Sequence, residues 1–479
     1  MDPFLLTHNV RHLLYDIGPR LSPISIRDQM MRGYLLVTRA IRQDIIGADK
    51  PLLIVGAGAA GATAAMTAAD RKVPTSLLER SDQPFSLQLG CQTRWVDPTA
   101  YDWPAEHWAK GKFPWRGPAL PLRYEGGIAS TIAGVWENKF EDEVEKNEFL
   151  TVIRQAELDN PRALGMKPSK KRIQVYFKSS DGKVRTGPFA FAMIISCIGA
   201  GPDRVEIENY RGTSFWTNDL YSEDNLGLES YTSPSVLISG SGDGALQDFL
   251  RIVTNKISAK EIYQALPTRI RNDIGSLISS KEDQYQRAFT WSGNAGGNHK
   301  IDDCYIQATL HQEYTDLVNR LLTKYETEFP ATVDLILKDG PERLAITMAY
   351  ECRHFSHSYP LNHFLAILLA RYIETRSERR VLYPNTRVVK VKGSDGMHVC
   401  NKNPVDCEGR FHQATFIPAD CETSRNASTS GARPLQNGPF NVIVVRHGID
   451  WNEPLFGELP KANTRQMLPY YLGWEADSV

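Results

Sequence analysis

The strongest hydrophobic pattern in the chain begins at Pro51. Four apolar residues, Leu52 to Val55, run without a break into a glycine-rich stretch, then an Ala-rich segment, then Thr75-Ser76-Leu77-Leu78 and Glu79. A short unbroken apolar run bounded by glycines reads as a strand buried on both faces, and strand, helix, strand in this order is a βαβ unit. Ahead of it, Met30, Tyr34, Val37, Ile41 and Ile45 recur at helical spacing opposite Arg32, Arg39, Arg42 and Gln43, with Ser22 before Pro23 as the helix start. Residues 1–49 are therefore predicted to form an N-terminal helical extension. It docks either on its own domain or on a protein partner or second copy, and the pattern alone does not separate these.

Further along, Phe149 to Ile153, Arg172 to Phe177, a turn at Ser180-Asp181-Gly182 and the apolar run FAMIISCIG ending at Gly199 predict a β-meander feeding a buried strand. A second strand-turn-helix pattern follows over Ser235 to Ile252, and a mainly helical stretch runs to about Arg379. The earlier order then recurs: Val381 to Val391, a turn at Ser394-Asp395-Gly396, and a strand in FNVIVVRHG ending at Gly448. This repeat of arrangement predicts an α/β fold with two Rossmann-like dinucleotide-binding domains in tandem, β-meander insertions and the N-terminal extension. The expected boundaries are 1–49, 50–205, 206–450 with a helical insertion, and a tail over 451–479 returning to the first domain. Trp291 to His299 and Ser424 to Gly438, rich in Gly, Ser and Asn, are read as loops.

Composition narrows the partners more than the fold. The 479 residues are 42% hydrophobic and 23% charged with a formal net charge of -1, so no global field favours nucleic acid or anionic lipid, and a small-molecule substrate is expected. Seven cysteines without a CxxC pair or a Cys/His cluster are read as reduced thiols. The N-terminus lacks a basic region followed by a sustained apolar one, and the uncharged run from Pro51 to Ala69 is Gly, Ala and Thr-rich; a cytoplasmic chain with no membrane span is predicted. In such a chain the Asn426-Ala427-Ser428 sequon carries no weight. His354 and His357, on a loop before Pro360 with His363 opening the next helix, lack a third ligand, so no metal is predicted.

The candidate chemistry lies in the two glycine motifs. Gly56-Ala57-Gly58-Ala59-Ala60-Gly61 follows the first strand and opens a helix. Gly56 permits the tight turn, Gly58 lets a pyrophosphate approach the backbone, Gly61 allows close helix-strand packing, and the helix N-terminus favours the phosphate charge. Glu79, with Arg80 beside it, closes the next strand at the spacing of about 20 residues where an acid accepts hydrogen bonds from a ribose diol. These residues specify a dinucleotide without saying which. Gly240-Ser241-Gly242-Asp243-Gly244-Ala245 repeats the motif, with Ala245 as its third small residue. The following segment, ISAKEIYQAL, is barely a strand, and places Lys260 and Glu261 only loosely to read a 2'-phosphate or a ribose.

This order of motifs, GAGAAG with Glu79, a meander ending IISCIGAGP, then GSGDGA, resembles the two-dinucleotide-binding-domain flavoproteins. The resemblance implies FAD at the first turn and NAD(P)H at the second. The order is most similar to that of the flavin-dependent monooxygenases, in which a strand ending Ala-Thr-Gly precedes an F-x-G-x-x-x-H fingerprint. Here Ser196-Cys197-Ile198-Gly199 takes the first place, and Tyr210-Arg211-Gly212-Thr213-Ser214-Phe215-Trp216 the second, with Trp216 where the family has His. The disulfide-reductase branch of the same superfamily needs a close thiol pair, and Cys91 and Cys197 are far apart.

The segment from Cys91 to Trp108 follows the second strand, where such flavoproteins lay chain beside the isoalloxazine. Arg94 is the candidate for stabilising reduced flavin or a peroxide, and Asp97, Tyr101 and His107 for moving protons. Aromatic packing and a helix start at Asp102 ahead of Pro104 are the structural alternative. The expected function is an FAD-dependent oxidoreductase that takes hydride from NAD(P)H and passes it through flavin to oxygen or a small organic substrate. The rival is an FAD/NAD(P)-binding sensor or interaction module in which the flavin is structural.

Overall fold

The computed structural model describes residues 2–18, 21–22, 25–104, 120–164, 171–208, 210–217, 235–275, 277–278, 299–338, 345–356, 358–393, 412–419, 435–449, 455–456 and 466–467. His107, most of the loop expected at Trp291 to His299, and the turn expected at Ser394 to Gly396 lie outside them.

Leu52–Val55 sits inside a six-stranded sheet because both of its faces are covered. Leu52 and Ile54 pack on one side with the helices Ile26–Arg42, Ala59–Ala69 and Ala129–Lys146. Leu53 and Val55 pack on the other with Val175, Phe177 and Phe191 of the meander and with Phe456 from the tail. Leu14–Asp16, Met193–Ser196, Leu52–Val55, Thr75–Leu78 and Leu150–Ile153 lie side by side and parallel, and Asn9–Arg11 adds an antiparallel edge. The register, Met193 beside Leu52 beside Thr75, brings the carboxyl ends at Ser196, Val55 and Leu78 to one edge. In open α/β sheets that edge is where ligands bind.

A second, four-stranded parallel sheet is ordered Leu382–Tyr383, Ala345–Ala349, Ser235–Ser239, Val442–Val445. Its helices, chiefly Asp243–Val253, His299–Lys324 and Pro360–Ser377, build one large apolar core, and the antiparallel meander Thr386–Gly393, His412–Pro418, Leu435–Phe440 covers the other face. Val442–Val445 returns beside Ser235–Ser239 as Met193–Ser196 returns beside Leu52–Val55. The tandem α/β architecture predicted from the repeat is therefore present.

Several local expectations are corrected. The N-terminal helix starts at Ile26, not after Ser22, because the Ser25 hydroxyl accepts from the Asp28 amide at 3.1 Å and donates to its carboxylate. Of its predicted polar face, Arg42 and Gln43 are exposed and Arg39 is half-buried, but Arg32 is buried at 0% exposure. Residues 1–49 also supply sheet strands, so the extension is more than helical. The helix docks on its own unit: a Cβ on Gly33 would stand 2.7 Å from the Ala60 carbonyl oxygen. ISAKEIYQAL is not a strand but contains the helix Ala259–Ala265, capped by the Ser258 hydroxyl, and Ala345–Ala349 takes the second strand's place. Leu435 to Gly438, expected in a loop, belongs to a strand. Among the described residues, no helix is long and apolar enough to cross a membrane.

Candidate dinucleotide sites and the layer between them

At the first turn the glycines divide into two kinds. Gly56 holds φ at +102°, and a Cβ there would approach the Cys197 carbonyl oxygen to 2.7 Å; a Cβ on Gly61 would collide with the Gly56 carbonyl. These two are required by the fold itself. At Gly58 φ is -71° and a Cβ would meet nothing within 4 Å. Gly58 is also the N-cap of Ala59–Ala69 and offers that helix no side-chain hydrogen bond. The turn thus presents open space in front of uncapped amides, the shape and polarity a pyrophosphate needs. Ala59 and Ala60 are the first helical residues. Glu79 stands beside them: Oε2 accepts from the Ala57 amide at 2.6 Å, and Oε1 from Ser81 at 2.7 and 2.9 Å. Both lone pairs of Oε1 are thus taken, and Oε2 keeps one for a ribose hydroxyl. Arg80 points to solvent, and Gly199, at φ +78°, is exposed beyond the neighbouring strand.

The second turn has the same backbone and different surroundings. Gly240, at φ +132°, backs onto the Arg446 carbonyl, Gly242 caps Asp243–Val253, and Ala245 is buried. The segment after Ala345–Ala349 folds over it: the Ser356 amide donates to the Ser241 carbonyl at 3.2 Å, and Asp243 accepts from the Tyr359 amide at 3.0 Å and the Asn362 side chain at 2.8 Å. Burial pushes the Asp243 carboxyl up, against the hydrogen bonds from Asn362, Tyr359 and Gln247. Lys260 and Glu261 do not lie at the end of the second strand. Lys260 reaches Asp97 at 3.5 Å, and Glu261 sits in the first turn of its own helix. The acid that follows Ala345–Ala349 is Glu351, ion-paired with Arg387 at 2.8 Å.

The two units are joined through a buried charge cluster that the reading of the sequence missed. Asp248, on the Asp243–Val253 helix, is fully buried and accepts from Arg94 of the first unit, from Arg446 Nε at 2.7 Å and from Arg251 at 2.9 Å. Burial alone would raise its carboxyl; the three guanidiniums more than offset this and hold it well below the usual range. Arg94 also donates to the Phe215 carbonyl at 2.7 Å, and its guanidinium lies 4.1 Å from the Phe215 ring centroid. Phe215 in turn leans on Gly244, where a Cβ would be 3.1 Å from the ring. The structure sets the guanidinium of Arg94, expected as a cation for reduced flavin, on Asp248, because the segment carrying it crosses to the other unit. Trp103, in the same segment, packs against Tyr263 and Phe364 at centroid distances of 5.6 and 5.8 Å.

Asp97 is likewise engaged. Its Oδ1 accepts from the Thr99 amide and hydroxyl at 2.8 Å each, and Oδ2 faces Lys260. Tyr101 stacks obliquely on Tyr359 at 4.2 Å, and burial, then the charge of Asp243, pushes its phenol well above the usual range. Arg94, Asp97, Tyr101, Lys260, Tyr359 and Asn362 line a cleft between the units with about 670 Å³ of empty space, its open mouth included. Cys91 and Cys197 do not meet; burial pushes the Cys197 thiol far up, consistent with an inert side chain. Among the described residues no group of His, Cys, Asp or Glu could hold a metal ion.

Asp248 and Arg446 had a readable signal. Asp248 falls on the apolar stripe of its helix between Ala245 and Phe249, and Arg446 directly ends the run VIVV. Buried charges at such positions require partners.

The fold and the two turns define an α/β protein with two Rossmann-like domains in tandem. No family model matches the chain, and no curated protein matches it. Among solved structures it is similar to the thioredoxin reductase of Lactococcus lactis at 11% identity, with 84% of this chain and 78% of that chain covered and a TM-score of 0.34. It is similar to the bacillithiol disulfide reductase of Staphylococcus aureus at 10% identity, with 85% and 77% covered and a TM-score of 0.38. Its similarity to the flavin-containing monooxygenase of Stenotrophomonas maltophilia is at 12% identity, with 42% and 54% covered and a TM-score of 0.26.

Proposed function

We propose that the chain is an FAD- and NAD(P)H-dependent oxidoreductase acting on a small molecule, with FAD at the first glycine turn and the nicotinamide nucleotide at the second. The observation that carries this reading is Gly58: the fold leaves space at its Cβ position, in front of an uncapped helix N-terminus, and Glu79 closes the next strand. Flavin bound there would supply hydride transfer between the nicotinamide and the final acceptor.

The chain's own residues then have separate tasks. Gly58, Ala59 and Ala60 present the amides for the diphosphate, and Glu79 takes the adenosine ribose. Gly240, Gly242 and Ala245 do the same for the nicotinamide nucleotide, with Glu351 as its ribose acid in place of Glu261. Tyr101, whose phenol keeps its proton at neutral pH, is a hydrogen-bond donor on the cleft wall, the side on which a substrate enters. Arg94 and Asp97 hold that wall in place. The test is flavin content of the purified protein, followed by anaerobic addition of NADH or NADPH. Stoichiometric FAD that bleaches supports the reading; a protein that binds FAD and is reduced by neither nucleotide supports the sensor instead.

A further inference from the structure

The N-terminal helix buries a guanidinium that has no hydrogen-bond partner among the described residues. Arg32 has 0% exposure, and among the described residues none of its three guanidinium nitrogens has a hydrogen-bond partner. Asp28, one turn earlier on the helix, acts on Arg32 through its charge, but its hydrogen bonds go elsewhere, with Oδ2 to the Ser25 hydroxyl at 2.5 Å and Oδ1 to Arg27 at 3.0 Å. His8 and Tyr359 supply no countercharge. His8, close enough to interact with Arg32, has its pKa lowered to about 4 by burial, despite its bond to the Asp16 carbonyl. Burial, then the charge of Asp28, keeps the Tyr359 phenol protonated. A guanidinium taken out of water without a partner is strongly unfavourable, so its position calls for an anion.

Arg32 has a neighbour that touches each turn. Gly33, the next residue, abuts Ala60 in the first turn of Ala59–Ala69, whose N-terminus has no side-chain cap. Tyr359, which also interacts electrostatically with Arg32, donates its amide to Asp243 at the head of the second helix. We propose that Arg32 and the uncapped N-terminus of Ala59–Ala69 form one anion seat, and that its ligand is the diphosphate of the dinucleotide on the first turn. This rests on reading that turn as the FAD site. A guanidinium is always charged and presents a planar fork that matches phosphate oxygens, which suits it to a diphosphate held also by backbone amides. The N-terminal segment then completes the cofactor site.

The experiment uses the full-length chain stripped of flavin, titrated with FAD, ADP, adenosine and inorganic pyrophosphate, and melted with and without FAD. Arg32→Met is expected to weaken FAD and ADP by roughly 10- to 100-fold while leaving adenosine unchanged, the range for hydrogen bonds to charged groups. The stripped variant should melt above the stripped wild type, since a buried guanidinium without a hydrogen-bond partner has been replaced by an apolar side chain, while its stabilisation by FAD shrinks. An unchanged preference for ADP over adenosine, or a lower melting temperature of the stripped variant, overturns the proposal. If Arg32→Met does not fold, Arg32→Lys decides: a reduced ADP preference supports the seat and an unchanged one removes it. Pyrophosphate alone binding as tightly as ADP would assign the seat to a free anion and overturn the dinucleotide assignment. A wild type that binds neither FAD nor ADP refutes the first-turn reading itself; a wild type that binds both, with Arg32→Met equal to it, refutes only the role of Arg32.

Discussion

Replacing Asp248 with Ala is predicted to destabilise the protein more than replacing any one of its three partners. The carboxylate is fully buried, and Arg94 and Arg446 are exposed at only 2% and 5% of their side-chain surface, so their charges gain little from water once Asp248 is gone. Removing one member of a buried pair costs about 3 to 5 kcal/mol because the remaining charge is left uncompensated. Here the remainder is a group of cations, so the upper part of that range applies, offset in part by Arg251, which at 13% exposure can turn outward. A loss of about 4 kcal/mol lowers the melting temperature of a unit of this size by about 10 °C. Arg94→Ala leaves Asp248 with two guanidiniums and should cost about 2 kcal/mol, within the range for a hydrogen bond between charged groups. Thermal and urea unfolding of both single variants and of Arg94→Met with Asp248→Leu gives the coupling. We expect the double variant to recover most of the loss, since a well-packed apolar pair replaces a buried ion pair at little cost. Additive losses would refute the tie. So would an Arg94→Ala protein that melts like wild type but is reduced slowly by NAD(P)H, as a flavin-side cation would behave. The Asp248 contribution has a defined pH dependence: with the folded carboxyl held below its unfolded value, it is present above about pH 4 and lost only as pH falls through the depressed folded value.

The glycines of the first turn should separate in the same assays: Gly58→Val keeps the fold and loses FAD, whereas Gly61→Val fails to fold, and a flavin-replete Gly58→Val protein would disqualify the turn. Gly242→Val is expected to leave FAD content intact and abolish reduction by NAD(P)H, read by stopped-flow absorbance; unchanged kinetics would remove the second turn from the reaction. His8, held near a pKa of 4 in the fold, stays neutral while the unfolded chain takes up a proton below about pH 6.5, so stability should fall by about 3 kcal/mol between pH 6.5 and 4. His8→Gln should flatten that part of the melting profile, and an unchanged slope would contradict the burial argument.

The α/β repeat was legible because each sheet keeps its local signals: apolar runs that end in glycine, and meanders that return to the first strand. Ser25 was passed over for Ser22 because Pro23 is a common helix-start signal, whereas the reciprocal bonds between Ser25 and Asp28 decide the boundary. ISAKEIYQAL misled through its position, since the second unit postpones its next strand to Ala345 by inserting helices. The catalytic expectation for Arg94 came from chain order alone. Its partner lies in the other unit, at Asp248, and pairings so distant in sequence leave no local pattern. Helical spacing placed Arg32 opposite the apolar stripe, which assumes that one face is covered; here Ala59–Ala69 and Pro3–His8 both pack on Ile26–Arg42, and Tyr359 of the other unit is close enough to interact with Arg32, while Arg42 stays exposed.

The central claim is that the space in front of Gly58 is a flavin diphosphate site linked to a nicotinamide site one unit away. The most direct measurement is the visible absorbance of the purified wild-type protein under anaerobic conditions before and after addition of NADPH and, separately, NADH. We predict one FAD per chain, released intact on denaturation and bleached by at least one of the two nucleotides. A colourless protein that also fails to take up added FAD would contradict the account at its foundation.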